Sequence, residues 1–252
     1  CIRDRVKVDR HKLRPGMLMY SRVICFYEET LLILEASQDT VIANEIEMSQ
    51  IHYISSSREL LDSHIIIGTD EKIIDIDYNS VSSDICNHLM ALLRAKVFVE
   101  DGKVDASVTM DKSEVDSVVY NNMLDLIPDN EALELLGYQP KTRVERKFAS
   151  TAEALLNGHR KYDLQDVMFL GSPKELIVID SVHEIKTSEE PDYSFRYAYI
   201  RLEDIDNIEM VEDTLVSGVK DILIHTGDAR IDFKVSETFD STIIRRYLNL
   251  YS

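Results

Sequence analysis

The chain has 252 residues, of which 44% are hydrophobic, and its formal net charge is −18 at pH 7. This length predicts two domains on a scale of about 100–200 residues per domain, and the hydrophobic share is enough for a packed core. The few glycines and prolines exclude collagen-like and low-complexity chains. The acidic balance argues against nucleic acid as a partner, because a phosphate backbone would be repelled.

Cysteine usage and hydropathy bear on the compartment. The three cysteines, Cys1, Cys25 and Cys86, are scattered and form no Cys-x-x-Cys pair, so neither a zinc knuckle nor a disulfide framework is predicted. No apolar run approaches the roughly 18 residues of a membrane span. We therefore expect a cytoplasmic protein. Because the sequence starts at Cys1 rather than at methionine, trimming of an upstream segment stays open.

The first part of the chain predicts antiparallel strands followed by one amphipathic helix. Short apolar runs separated by turn residues predict strands at 22–26, 31–34, 44–54, 65–67 and 73–76. A helix is predicted from Ser82 to Leu93, because Ile85, Leu89 and Leu93 recur at helical spacing.

The middle section, residues 97–165, follows a different pattern. It predicts a hairpin at 97–108 and helices at 113–126, 131–136 and 151–156. This section is too apolar for a loose linker, so we expect it to pack between its neighbours or to extend one of them.

The last part repeats the plan of the first. Strands are predicted at 167–170, 176–179, 195–208, 222–224 and 231–235, and a helix at 239–251. The phrase Ile46-x-Met48-x-x-Ile51-x-x-Ile54 returns in this part as Ile200, Leu202, Ile205 and Ile208. We interpret its apolar positions as core packing in two copies of one fold, so function is expected on the surfaces that differ between the copies.

Motifs of catalysis and metal binding do not occur. There is no Gly-x-Ser-x-Gly, no phosphate-binding glycine loop and no His-x-x-x-His pair. The acid pairs Asp75 with Asp77 and Asp204 with Asp206 are of a kind that arises by chance in a chain with 46 acidic residues. The sequence therefore predicts a non-enzymatic protein with no catalytic residue, no metal site and no cofactor.

Two basic groups stand out against the acidic background. One is formed by Lys141, Arg143, Arg146 and Lys147, and the other by Arg245 and Arg246. Ordinary solvated charge is one interpretation. The other is contact with an acidic protein partner, because arginine forms forked hydrogen bonds with carboxylates.

Strands closed by one helix, with the phrase Tyr199 to Ile205 before the last hairpin, resemble pleckstrin-homology-like (PH-like) and GRAM-like domains. The resemblance implies an α+β fold with a PH-like unit at 1–96, a mixed helical and strand connector at 97–165 and a second PH-like unit at 166–252. Many such domains bind phosphoinositides through basic residues at the first hairpin. The corresponding turns here hold Glu28-Glu29 and a single lysine, Lys174, which favours a protein-binding platform over a lipid-binding one.

The paired arrangement and the ending Arg245 to Tyr251 are also similar to the archaeal taxis adaptor family CheF. This resemblance implies an adaptor that couples the phosphorylated response regulator CheY to proteins of the archaellum motor. Two alternatives stay open at this point. One is a module that binds a membrane surface or a lipid head group, and the other is an enzyme with an unrecognised site.

Overall fold

The computed structural model describes residues 2–5, 14–15, 20–37, 40–59, 62–79, 83–98, 112–126, 133–147, 161–189 and 194–251. Within these ranges the chain is mostly β, with eighteen strands, three α-helices and three 3-10 turns. The hairpin predicted at 97–108 lies outside these ranges except for residues 97–98, and the helix predicted at 151–156 lies outside them entirely.

The strands of the first part are β1 (Ile2–Arg5), β2 (Tyr20–Phe26), β3 (Thr30–Ser37), β4 (Thr40–Glu47), β5 (Ile51–Glu59), β6 (Asp62–Thr69) and β7 (Ile73–Asn79). The middle section contributes β8 (Glu134–Gln139), β9 (Thr142–Arg146) and β10 (Tyr162–Leu164). The remaining strands are β11 (Val167–Gly171), β12 (Glu175–Asp180), β13 (Ile185–Thr187), β14 (Phe195–Arg201), β15 (Ile205–Glu212), β16 (Val216–Ser217), β17 (Val219–Thr226) and β18 (Ala229–Ser236).

The α-helices are α1 (Ser83–Val97), α2 (Ser117–Leu126) and α3 (Thr242–Tyr251). The 3-10 turns occupy Met48–Gln50, Lys112–Glu114 and Leu202–Asp204. The predicted helix at 82–93 is confirmed and runs further, to Val97. α3 begins after Asp240, whose Oδ1 accepts the backbone N–H of Thr242 at 2.9 Å and so caps the helix start.

The strands form four antiparallel sheets. Their strand orders are β1-β2-β3-β4, β13-β10-β9-β16, β7-β6-β5-β14-β12-β11-β8 and β15-β17-β18. The seven-stranded sheet joins three strands of the first part to strands of the middle and last parts. Its central contact is the β5–β14 pair, with Cα partners from Arg58 opposite Phe195 to Tyr53 opposite Ile200. We call this pair the joint.

The repeated apolar phrase forms the same corner twice. In the first copy, β4 leads through the turn Met48–Gln50 into β5, and in the second β14 leads through Leu202–Asp204 into β15. Each corner moves the chain from one sheet to another. The expected core packing is confirmed, because Ile205 is partly buried and the other seven apolar positions are buried: Ile46, Met48, Ile51, Ile54, Ile200, Leu202 and Ile208.

The main core extends across the joint. One continuous buried cluster includes Ile54 of β5, Leu89 of α1, Met123 of α2 and Ile177 of β12. A second cluster lies between the seven-stranded sheet, the β15-β17-β18 sheet and α3, and it includes Phe233, which is 0% exposed. Burial of apolar side chains from distant parts of the chain therefore holds the two copies together.

The expectation of an α+β fold with two PH-like units is wrong. The described residues are mostly β, and the second sheet of the first copy continues into the first sheet of the second copy. The physical reason is that the outer edge of β5 is not left open. Its backbone N–H and C=O groups bond to β14, so one sheet continues where two separate sheets were expected.

The predicted helix at 131–136 is also wrong, because residues 134–139 form β8 and pair with β11. Gly137 lies in this strand, directly after the predicted helix. A Cβ at this position would lie 2.8 Å from the ring of Phe239, so the strand backbone approaches that ring closely. None of the helices in the described part of the chain has the length and apolar character that a bilayer crossing requires.

Candidate functional site

A cleft of about 640 Å³ opens above the joint, bordered by α1 and α2. We call it the joint cleft. Its volume lies within the roughly 300–1,000 Å³ that is typical of small-molecule sites. Because its walls come from β5, α1, α2 and β14, the cleft exists only when the two copies are joined.

Three aromatic side chains form the floor of the joint cleft. Phe195, Tyr197 and Tyr199 alternate along β14, and alternate residues of a strand share one face. The ring centroids of Phe195 and Tyr197 are 5.6 Å apart, and those of Tyr197 and Tyr199 are 6.2 Å apart. From β5, Ser56 lies opposite Tyr197 and Arg58 opposite Phe195. The floor is therefore a row of π-faces edged by one cation.

The second cation of the cleft is held by a buried ion pair. Arg94 of α1 donates from Nε to Glu175 Oε1 at 3.0 Å and to Oε2 at 3.2 Å, and its Nη2 also donates to Oε1. The guanidinium carbon lies 4.7 Å from the ring centroid of Tyr199. Arg94 therefore fixes α1 to β12 while it covers one end of the aromatic row.

Arg58 covers the other end and has different surroundings. Its guanidinium carbon lies 5.5 Å from the centroid of Phe195, and its Nη2 donates to the side-chain oxygen of Asn87 on α1. Within the described ranges these contacts of Arg58 are neutral, in contrast to the Arg94–Glu175 pair. The positive charge of Arg58 is thus available to an anion in the cleft.

Polar groups from α2 complete the site. The amide Nδ2 of Asn122 is buried and finds no acceptor among the described residues. The Tyr197 hydroxyl donates to the backbone oxygen of Asn122 at 3.4 Å. Burial, together with Tyr199 and Asp125, raises the pKa of Tyr197, so its phenol stays protonated and acts as a donor. The arrangement can stack a planar group and donate one amide hydrogen bond, and an anion in it would meet Arg58 together with the carboxylate of Asp125.

The predicted basic residues 141–147 lie on and beside β9, and we call them the basic cluster: Lys141, Arg143, Arg146 and Lys147. All four are exposed. The Nε of Arg143 lies 3.1 Å and the Nζ of Lys141 3.6 Å from the carboxylate of Asp163. The structure thus brings these two together around one counter-charge.

The other two members of the basic cluster contact Tyr162 and the backbone of Asp213. The guanidinium carbon of Arg146 lies 5.9 Å from the ring centroid of Tyr162. The Nζ of Lys147 donates to the backbone oxygen of Asp213 at 3.2 Å.

Arg245 and Arg246 are exposed on α3. This helix packs against β8 and the turn Leu202–Asp204, so the pair belongs to a different element from the basic cluster. The buried face of α3 is formed by Ile244 and Tyr247. The two arginines thus lie on the outward side, as the helical spacing predicts.

The acid pairs are divided among other groups of the chain. Asp75 contacts His64 Nδ1 at 2.9 Å, and Asp77 accepts from Arg22 at 2.5 Å. The second pair is engaged by His52, Arg201 and the backbone N–H of Gly227. Among the residues that the structure describes, no group of three or more His, Cys, Asp or Glu side chains is placed to hold a metal ion.

The joint cleft was missed by the sequence reasoning. A signal was present in the alternating Phe195-x-Tyr197-x-Tyr199, which places three aromatic rings on one face of a strand. Nothing local, however, indicates that β5 pairs with β14 or that α2 borders the same face.

No model of a known protein family matches the chain, and the comparison with curated proteins gives no match either. The similarity to CheF therefore rests on the residues quoted for it. The function is therefore inferred from the geometry of the described sites.

Proposed function

We propose that this chain is a non-enzymatic adaptor of the cytoplasm that binds acidic surfaces of protein partners. The observation that carries the proposal is the basic cluster, four exposed cations on and beside one short strand of a chain with a net charge of −18. A local positive surface steers an acidic partner toward itself and sets the orientation of docking. Its two arginines supply the forked donors that suit carboxylates.

The ending Arg245 to Tyr251 supports a partner in taxis signalling. Because this ending resembles CheF, a phosphorylated response regulator of the CheY type is the first partner to test, and archaellum motor proteins are the next. Arg245 and Arg246 offer a second cationic contact on α3, apart from the basic cluster.

The test is titration calorimetry of the full chain with the phosphorylated response regulator, supported by size-exclusion chromatography. Replacing all four residues of the basic cluster by glutamine is expected to weaken binding by at least about fourfold, because each exposed pair is worth roughly 0.2–1 kcal/mol. A matched variant changes four exposed cations elsewhere to glutamine: Lys96, Lys112, Lys174 and Arg230. Its net charge is the same, so it separates local docking from general attraction.

Two outcomes would count against the adaptor. One is the absence of a complex with the unmodified chain. The other is equal weakening in the two variants, which would reduce the basic cluster to a share of the overall charge.

A second candidate function, binding of a small aromatic anion, is favoured by the joint cleft. Arg58 has neutral contacts within the described ranges, and Asn122 Nδ2 is a buried donor without an acceptor there. An unsatisfied buried donor costs about 1–3 kcal/mol, which a ligand acceptor would recover. A planar ring bearing a carboxylate or phosphate matches the aromatic floor, the guanidinium and the amide together.

Indole-3-acetate and its neutral amide form a matched probe pair for this candidate. The chain contains no tryptophan, so indole fluorescence anisotropy reports binding without a tryptophan background. The anion is expected to bind about tenfold more tightly than the amide. Arg58→Gln should abolish that preference, and Arg58→Lys should keep part of it. Adenosine monophosphate compared with adenosine by titration calorimetry tests phosphate as the anion. Equal binding of anion and amide to the unmodified chain, or no binding, would exclude this candidate.

A further inference from the structure

Two strands of the repeat have an outer edge with which no other described strand pairs. Their counterparts in the other copy pair with each other. A constant offset along the chain relates the first corner to the second, from Ile46 and Ile200 to Ile54 and Ile208. By this offset β15 is the counterpart of β5, and β4 is the counterpart of β14. The strands β5 and β14 pair at the joint. In contrast, β4 and β15 each end a sheet, and no other described strand pairs with their outer edges.

Burial follows the same division. The first six residues of β5 are all buried, whereas β4 is exposed over its first four positions and β15 over most of its length. The open edges carry large apolar side chains in contact with water: Val41 is 66% exposed, Ile42 49% and Val211 44%. An open edge with exposed apolar residues is a template for pairing with another chain.

The register of the joint can be transferred to the open edges. At the joint, Arg196 of β14 lies opposite Ser57 of β5. The repeat offset converts this pair into Ile42 of β4 opposite Val211 of β15. Two exposed apolar side chains thus meet directly, which is a stabilising cross-strand pair.

The same transfer keeps the acidic side chains of the two edges apart. It places Val41 opposite Glu212, Ala43 opposite Met210, Asn44 opposite Glu209 and Glu45 opposite Ile208. In none of these pairs does a carboxylate face another one directly, although both edges are acidic. Like charges directly opposite would destabilise the pair.

We propose that β4 of one copy of this chain pairs antiparallel with β15 of a second copy, in the register of the internal joint. The occupant is a second copy because the chain already builds this contact once, between its own halves. The interface is head-to-tail, so repetition gives open or ring-shaped assemblies rather than a two-fold dimer. It is independent of the adaptor function, since it uses neither the basic cluster nor the joint cleft.

Sedimentation velocity of the full chain over a concentration series tests the proposal. The unmodified chain is expected to associate beyond the dimer as concentration rises. Ile42→Asp blocks the β4 edge and Val211→Asp the β15 edge, and each is expected to weaken self-association by at least about tenfold. Both positions are exposed, so the fold tolerates the change. Ile73→Asp is the matched control, because Ile73 is a 58% exposed residue of β7, the edge of another sheet.

Mixing the two blocked variants is the decisive measurement. Ile42→Asp retains an intact β15 edge and Val211→Asp an intact β4 edge, so their mixture should form heterodimers that grow no further. Three outcomes would overturn the proposal: an unmodified chain that stays monomeric up to about 1 mM, a blocked variant that self-associates as strongly as the unmodified chain, or a mixture that associates no better than its components.

Discussion

The ion pair between Arg94 and Glu175 offers a sharp test of how the two copies are held together. It joins α1, the last element of the first copy, to the start of β12 in the second copy. The side chains are 7% and 1% exposed, and two hydrogen bonds of 3.0 and 3.2 Å run from Arg94 Nε to the two carboxylate oxygens. The pair is therefore removed from water on both sides.

Removing both partners is expected to cost less than the sum of the two single removals. Glu175→Gln takes away the carboxylate charge but keeps the shape, and the guanidinium loses its ionic partner at a site where water does not replace it. Breaking a buried pair in this way costs about 3–5 kcal/mol of unfolding free energy. The double variant Arg94→Met with Glu175→Gln removes both charges, so its loss should be smaller than the sum of the two single losses.

Urea unfolding followed by far-ultraviolet circular dichroism measures these losses without a tryptophan probe. They are a large fraction of the roughly 5–15 kcal/mol of a typical protein. Arg230→Gln, on the exposed side of β18, is the control and should change the unfolding free energy by less than about 0.5 kcal/mol. A loss below about 1 kcal/mol for Glu175→Gln, or strictly additive losses, would refute a buried pair that closes the joint.

Three further predictions concern stability, measured by urea or thermal unfolding. Replacing His52 by alanine should cost about 2 kcal/mol, because its ring nitrogens each lie 2.7 Å from a carboxylate oxygen, one of Asp70 and one of Asp204; an unchanged midpoint would contradict these bonds. Gly227→Ala should cost about 1–3 kcal/mol, since Gly227 has φ +53° and a Cβ there would lie 2.5 Å from Asp70 Oδ1; full stability of this variant would argue against the contact. Burial raises the pKa of Glu184 from 4.5 to about 7, so folding favours its protonated form. Its contribution of about 3 kcal/mol is fully present below pH 4.5 and lost as the pH rises through 7, and Glu184→Gln should flatten that slope; a slope unaltered in the variant would rule Glu184 out as its source.

Short-range pattern predicted the parts of the fold that depend on local burial. The repeated phrase marks two corners because its spacing places Ile46 and Met48, then Ile51 and Ile54, toward the core on either side of one 3-10 turn. The helix stripes succeeded for the same reason, since one apolar face must be covered.

The joint could not be predicted in this way. The β5–β14 pair is formed by backbone N–H and C=O groups. Because nearly every residue carries these groups, no side-chain pattern in the sequence indicates which strands will pair. The region at 131–136 failed similarly. Its leucines suit a helix, but pairing with β11 and the close approach of Gly137 to Phe239 decided for a strand.

The two candidate sites also differ in how far local sequence could predict them. Charge is visible in a sequence, so the basic cluster was found, but its shared counter-charge Asp163 comes from β10 and depends on the β9–β10 register. The aromatic floor was visible only as an alternating pattern. Its meaning depends on Arg58 and α2, which long-range pairing brings to it.

The repeat also restricts where the two copies can differ in function. At the joint, β5 of the first copy pairs with β14 of the second. Their counterparts β15 and β4 have an outer edge with which no other described strand pairs, so their surroundings differ from those of β5 and β14. Selection for solubility alone would place charged residues along such open edges. Besides their acidic residues, the two edges keep Val41, Ile42 and Val211 exposed, and the proposed register sets Ile42 against Val211. In the proposed pairing, the two open edges meet in the same register as β5 and β14 do at the joint.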